Sequence, residues 1–212
     1  MQGVNRIKEA AHLGKQERGF FGLLDQHQAF DIPGKFVATA GHAGTWTSFK
    51  ERISPMSKTT RATQALEKLG VTFTLHSYDY DPDADSIGLQ AAQALGVAPK
   101  CMLKTLMAEV DGKPVCAVVP SDREVSMKKL ASAFGGKAAK MMRPADAERL
   151  TGYHVGGISP FGQKKRVPVA IEESALGEAK VFVNGGQRGL QIELDPSDAV
   201  KALAAIVRPL TA

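Results

Sequence analysis

The chain has 212 residues, 43% of them hydrophobic and 23% charged. That composition excludes wholesale disorder, collagen and coiled coil, and it leaves room for one ordinary domain with an appendage or for two small domains. The net charge of +5 is compatible with a nucleic-acid partner without requiring one, and no run of about 18 apolar residues marks a membrane span.

No short basic stretch followed by an apolar run marks a secretory signal, and Glu9, Glu17 and Asp25 argue against an acid-poor transit peptide. Residues 1–55 carry Phe20, Phe21, Phe30, Phe36, Trp46 and Phe49 together with His12, His27 and His42, yet show no sustained periodicity. They are expected to be a poorly structured extension, with Met56 as the true start. The competing reading is a small subdomain built on those aromatics, which a segment of this size supports only marginally.

From Met56 onward the pattern is that of one α/β domain. Thr59 or Thr60 caps a helix running to Leu69, with Ala62, Ala65, Leu66 and Leu69 inward and Gly70 as the stop. Residues 71–78 alternate like a strand. Asp85 or Ser86 caps a second helix, with Leu89, Ala92 and Leu95 inward and Gly96 ending it. Residues 101–110 and 114–119 form a hairpin if Asp111-Gly112 is its two-residue turn, which sets Cys116 opposite Met107. Cys101 then lies roughly 20 Å along the strand, beyond disulfide reach. Two reduced thiols in a cytosolic protein are expected, and two cysteines without a CxxC make a structural zinc site unexpected.

Ser126 caps the next helix, which runs to Phe134 before Gly135-Gly136. A short strand at 138–142 and a helix opened by Pro144 and ending at Thr151 follow. Strands are expected at 167–172, 180–183 and 190–194, then a closing helix from Asp195-Pro196 to Val207. The hairpin and the short late connections predict a mixed sheet rather than a regular βαβ repeat.

Several residues break the pattern of a bland domain. Lys104 sits in an apolar strand, where an ammonium needs a counter-charge or a ligand if buried, or an edge position from which it reaches water. Two glycine-rich turns, residues 155–162 and 183–189, suit either tight turns or backbone concavities that bind anions. Neither matches a P-loop or a dinucleotide fingerprint. The cluster Lys164, Lys165 and Arg166, with Lys128, Lys129, Lys137, Lys140 and Arg143, is either a phosphate-contacting surface or a solvated face. Asp79, Asp81, Asp83 and Asp85 fail the calcium-loop test, because Ala84 and Gln90 stand where glycine and glutamate are needed. His76 and His154 lack ligand-spaced partners, and Ser159 has no GxSxG setting.

Three motifs then carry a resemblance: Lys-Thr-Leu at 104–106, Thr-Gly-Tyr-His-Val-Gly-Gly-Ile-Ser-Pro-Phe-Gly-Gln-Lys-Lys-Arg at 151–166, and Val-Asn-Gly-Gly-Gln-Arg-Gly-Leu-Gln-Ile-Glu-Leu at 183–194. With His-Ser-Tyr-Asp-Tyr-Asp-Pro at 76–82, they make residues 58–208 similar to the YbaK/EbsC family. These are free-standing aminoacyl-tRNA editing domains, similar to the editing insertion of bacterial prolyl-tRNA synthetase. The resemblance implies an α/β fold with a mixed, partly barrel-like β-sheet surrounded by helices. It implies a cytoplasmic deacylase that removes a wrong amino acid from tRNA, the best-known branch clearing Cys-tRNA(Pro). It implies no metal, no other cofactor and no membrane; the partners are the aminoacylated tRNA 3′ end and prolyl-tRNA synthetase.

Carried onto this sequence, Lys104 is the critical residue, contacting the terminal adenosine phosphate or orienting the ester, with Thr105 beside it. Tyr78 and Ile87 would line the pocket. Gly156, Gly157, Ile158 and Ser159 would hold the aminoacyl carbonyl and amino group, and Asn184, Gly185 and Gly186 would complete the site. Two positions depart from the family pattern: Asn184 stands where serine is typical, and Gln191 where aspartate is.

The residues and the resemblance agree on one point of chemistry. No metal cluster, general-base dyad or nucleophile triad is visible, so the rate must come from elsewhere. For a cysteinyl ester the substrate thiol can attack its own carbonyl, held in near-attack geometry with backbone N–H groups on the oxyanion. The alternatives are a deacylase for another small aminoacyl group such as alanine, using a positioned water, and a non-catalytic tRNA- or synthetase-binding module.

Overall fold

A computed structural model describes residues 59–84 and 86–212. The reading of residues 1–55 as an extension, and Asp85 as an alternative cap, lie outside them. The first helix, α1, spans Arg61–Lys68. Thr60 caps it by accepting from the Thr63 N–H, while the Thr63 side chain accepts from the Thr60 N–H. The Thr60 hydroxyl also donates to the Gly185 carbonyl at 2.6 Å, which ties the start of α1 to the second glycine turn. Strand β1 (Phe73–Ser77) follows, and Ser86 caps α2 (Ile87–Leu95).

The hairpin of β2 (Leu103–Val110) and β3 (Lys113–Pro120) has the register that its turn dictates. Asp111 and Gly112 both adopt positive φ, 48° and 79°, and Met107 pairs with Cys116. Helix α3 (Met127–Ala133), strand β4 (Ala139–Met141) and helix α4 (Pro144–Thr151) come next. Strands β5 (Val169–Glu172), β6 (Val181–Asn184) and β7 (Leu190–Leu194) precede α5 (Pro196–Leu203) and β8 (Ile206–Arg208).

The strands form two sheets, β1-β7-β6 and β4-β2-β3-β5-β8. The first is antiparallel. The second is mixed, with β3, β5 and β8 parallel. A bridge between Met102 and Phe182 joins β6 to the start of β2, so the two sheets curve into one partly barrel-like surface. The main core lies inside that curve: Leu103, Met107, Cys116, Val118, Val181, Val183 and Ile192 meet Ala62 and Leu66 of α1 and Ala199 of α5. The opposite face of the larger sheet packs Ala108, Val110, Ala117 and Val119 against Leu130 and Ala131 of α3. Burial on both faces is why β2 and β3 read as near-continuous apolar runs.

Four details differ from the periodicity. Leu69 and Leu89 point outward, 57% and 41% exposed, while Thr63 and Ala91 take the buried positions. Both leucines lie near a helix end, where the tertiary neighbours and not the 3.6 period choose the face. Strand β1 is shorter than residues 71–78. The closing helix stops at Leu203, where Ala204 turns left-handed at φ 49°, and the segment to Val207 becomes part of β8. The β-branched Ile206-Val207 pair suits a sheet edge better than a helix end.

Both cysteines are free thiols. Cys116 is buried, and burial pushes its thiol up to about 12. Cys101 is partly exposed, its Sγ donating to Glu178 Oε2 at 3.3 Å. Burial and that carboxylate raise its pKa as well. The expected result of a thiol-reagent titration is slow modification of Cys101 alone in the native protein and of both only after unfolding. Fast native reaction at Cys116 would contradict this packing.

Candidate active site

Strand β2 carries Lys104 on the face it shares with Leu106, Ala108 and Val110, and Thr105 on the opposite face. Lys104 stands at the start of the strand, opposite Val119, beyond the stretch of β2 that pairs with β4. Its side chain is 26% exposed. The ammonium lies 3.4 Å from the Ser121 carbonyl and 3.7 Å from Glu124 Oε1, a carboxylate that is itself 89% exposed. Of the two sequence readings, neither full burial nor an open edge describes it. The ammonium sits half-buried in the wall of a cleft, with one loose, solvated counter-charge.

That cleft has a volume of about 340 Å³. It gathers most of the residues singled out from the sequence: Lys104, Thr105, Ile87, Gly156, Ile158 and Asn184, and with them Gln191. The chain builds it from four places. Ser86 sets α2 so that Ile87 and Gly88 form one wall, the start of β2 forms a second, and the first glycine turn a third. The β6–β7 pair forms the floor, where Asn184 and Gln191 lie directly opposite one another on one face of the sheet. Strand alternation places His76, Gln191 and Asn184 in one cross-strand row.

Asn184 locks the two glycine turns together. Its Nδ2 donates to the Gly156 carbonyl at 3.1 Å, and its Oδ1 accepts from the Gly186 N–H at 2.8 Å. Asparagine can do both at once, having a donor and an acceptor at the same branch point. Gly156 has φ +86°, a backbone conformation that favours glycine, and a Cβ there would also displace the end of the Ile87 side chain, 2.8 Å away.

The other predicted residues lie near the cleft rather than in its wall. Gly157 packs on the Gln187 backbone, and Gly157 and Gly186 border a neighbouring cavity with His154, Gln187 and Arg188. Gly185 packs against Leu190. Ser159 is fully buried, and its hydroxyl accepts from the Phe161 N–H at 3.3 Å. Tyr78 is buried with Met102, Phe182 and Ala91 of α2, outside the cleft lining; burial pushes its phenol up, while the nearby Gln191 amide opposes the rise. The basic trio Lys164, Lys165 and Arg166 is exposed.

Two side chains that line the cleft have hydrogen-bonding capacity unspent among the described residues: Thr105 Oγ1 and Gln191 Oε1. An orphaned buried polar group costs about 1–3 kcal/mol, so two at one cleft mark a place prepared for a polar ligand. Ser121, whose carbonyl meets the Lys104 ammonium and whose unpartnered hydroxyl packs on Gly88, was not legible from sequence, because the β3–α3 loop brings it there. Gln191 was visible in sequence as a departure from a pattern, and the β6–β7 register explains why it belongs to the site. His76 Nε2 lies 2.7 Å from Glu193 Oε2 on the same sheet face, but among the described residues no three His, Cys, Asp or Glu side chains converge to hold a metal.

Comparison with known proteins agrees with this geometry. The profile of the aminoacyl-tRNA editing domain matches residues 81–202, which contain Ile87, Lys104, Gly156, Asn184 and Gln191. The candidate Cys-tRNA(Pro)/Cys-tRNA(Cys) deacylase EbsC of Enterococcus faecalis is 37% identical over 142 residues, 65% of this chain and 84% of that protein. The proline–tRNA ligase of Geobacter metallireducens is 33% identical over 92 residues, 43% of this chain but 16% of the ligase. The fold is shared with the crystal structure of a candidate trans-editing enzyme for prolyl-tRNA synthetase, at a TM-score of 0.63 and 23% identity over 72% of this chain and 95% of that one. The profile match over residues 81–202, more than half of the chain and containing the cleft's Lys-Thr pair and both glycine turns, shows that this chain belongs to the aminoacyl-tRNA editing domain family.

Proposed function

We propose that the chain is a free-standing deacylase that clears Cys-tRNA(Pro) by letting the substrate's own thiol open the ester. The observation that carries this reading is the cleft itself. It offers one cation, orphaned polar groups and glycine backbone, and among its described lining residues no cysteine, histidine, aspartate or glutamate stands as nucleophile or general base. A volume of about 340 Å³ suits a small aminoacyl group with part of the terminal ribose.

In the proposed step the cysteine sulfur attacks the ester carbonyl carbon. A carbon–sulfur bond forms, the bond to the terminal ribose oxygen breaks, and the thiol proton passes through solvent to the departing oxygen. The product is a four-membered cyclic thioester, which water opens to free cysteine. Lys104 places positive charge beside the leaving oxygen or the adjacent phosphate. Gln191 Oε1 and Thr105 Oγ1 accept from and donate to the polar atoms of the aminoacyl group. The proposed roles of Tyr78, Gly157, Ser159, Gly185 and Gly186 are in shaping and fixing the two turns. The exposed Lys164, Lys165 and Arg166 suit weak, salt-sensitive attraction to the tRNA backbone, and a prolyl-tRNA synthetase would then help to select the tRNA.

Asn184 and Gln191 favour one second reading. A neutral amide in place of a carboxylate changes what the floor can recognise, and a small side chain such as alanine would then be cleared by a positioned water. The test is multiple turnover by the purified chain on Cys-tRNA(Pro) and Ala-tRNA(Pro). Release of cysteine in excess over enzyme supports the proposal, and preferential release of alanine supports the second reading. Binding without release of either would make the chain a non-catalytic tRNA-binding module.

A further inference from the structure

Val155 is an exposed apolar turn residue held by two charged side chains. Its N–H donates to Glu148 Oε1 at 2.8 Å, a contact that holds the Glu148 carboxyl below the usual range. Its carbonyl accepts from Arg188 Nε at 3.1 Å and from Arg188 Nη2 at 2.8 Å. The next carbonyl, that of Gly156, is taken by Asn184 Nδ2. Two consecutive carbonyls are thus claimed by side chains from the β6–β7 connection and its flank. Two donors of one guanidinium converging on one oxygen restrict the peptide plane as well as the oxygen's position.

A trans peptide points its N–H opposite to its carbonyl. Arg188 borders the neighbouring cavity, whereas Val155 and Gly156 border the Lys104 cleft. With the Val155 oxygen held by Arg188, the Gly156 N–H of the same peptide points away from the guanidinium. Among the described residues that N–H makes no hydrogen bond. The same guanidinium lies 5.3 Å over the Tyr80 ring, so it also braces the loop that leads to Ile87.

We propose that Arg188 is a positioning residue for deacylation: with Glu148 on the other side of Val155, it sets the Val155–Gly156 peptide so that the Gly156 N–H meets the carbonyl oxygen of the bound ester. The inference rests on the deacylase reading above. Arg188 itself touches neither the ester nor the tRNA.

The experiment compares the wild type with Arg188→Ala and Arg188→Lys in deacylation kinetics and in the Gly156 amide resonance. The Gly156 amide is followed as a non-hydrolysable aminoacyl-adenosine amide is added. Arg188→Ala is expected to lose about 10- to 100-fold in kcat with KM within about two-fold, the cost of a displaced oxyanion donor. Arg188→Lys keeps the charge without the fork and is expected to recover only part of the rate. The amide probe is expected to shift the Gly156 resonance in the wild type and less in both variants. A rise in KM with a weaker salt dependence and an intact kcat would overturn the proposal and make Arg188 a phosphate contact. Unchanged kinetics in both variants would also overturn it, as would probe binding to the wild type with no shift at Gly156. A Gly156 shift in a wild type that deacylates nothing would instead sink the deacylase reading and leave the peptide's orientation standing.

Discussion

Lys104→Ala is expected to reduce deacylation by more than about 100-fold in kcat/KM, the scale of losing the charge beside a developing anion, while leaving the fold in place. The structural part of this expectation follows from the loose surroundings of the ammonium. Its carboxylate partner, Glu124, is almost fully exposed at 3.7 Å, and its carbonyl partner is at 3.4 Å. An ion pair of that kind contributes about 0–1 kcal/mol. Removing Lys104 therefore leaves no buried charge unpaired, and the melting temperature is expected to stay within a few degrees, read by thermal unfolding alongside activity. The functional part follows from position: among the residues lining the cleft, Lys104 supplies the cationic group. Lys104→Arg keeps the charge but replaces a compact ammonium by a wide fork in a small cleft, and it is expected to recover only a fraction of the rate. An alanine variant that unfolds would show that Lys104 serves the fold, and one that retains activity would remove it from the mechanism.

The second large effect is expected from the substrate rather than the protein. Ser-tRNA(Pro) differs from Cys-tRNA(Pro) by one atom, yet its deacylation is expected to fall by more than about 100-fold. A cysteine thiol has a pKa near 8.5 and is a few per cent thiolate at neutral pH, whereas an aliphatic hydroxyl is not measurably ionised. Among the described residues that line the cleft, none is a histidine or carboxylate that would activate the hydroxyl in its place. Binding should change little, because the two side chains have similar size and polarity, so the loss belongs in kcat. Comparable turnover of the seryl ester would mean that the protein activates a water or the hydroxyl itself, and substrate assistance would have to be abandoned.

Most of the architecture was legible in the sequence because it is set locally. Thr60, Ser86, Ser126 and Pro144 open helices where their cap chemistry requires, and Asp111-Gly112 alone fixes the register of eight strand pairs in the β2–β3 hairpin. What escaped was tertiary. Leu69 and Leu89 obey the helical period yet face out, and Ala204 takes a left-handed turn that propensity disfavours. The site shows the same division. Lys104 is an oddity in any apolar strand, and the glycine turns announce themselves by composition. That Asn184 would clasp Gly156 and Gly186, that Ser121 would approach Lys104, and that Arg188 would claim the Val155 carbonyl depend on how three distant segments meet. No local pattern encodes those meetings, nor the close approach of Gly157 to the Gln187 backbone and of Gly185 to Leu190.

Editing requires rejection of the correct ester as well as turnover of the wrong one. The proline ring closes its own nitrogen into a secondary amine and carries no thiol, so it offers no atom to open the ester in a cleft lined by Lys104, Thr105, Asn184 and Gln191. The decisive measurement is therefore the ratio of kcat/KM for Cys-tRNA(Pro) to that for Pro-tRNA(Pro) with the purified chain. The account predicts a ratio above about 100, the scale of a lost intramolecular attack, and equal rates for the two esters would contradict it.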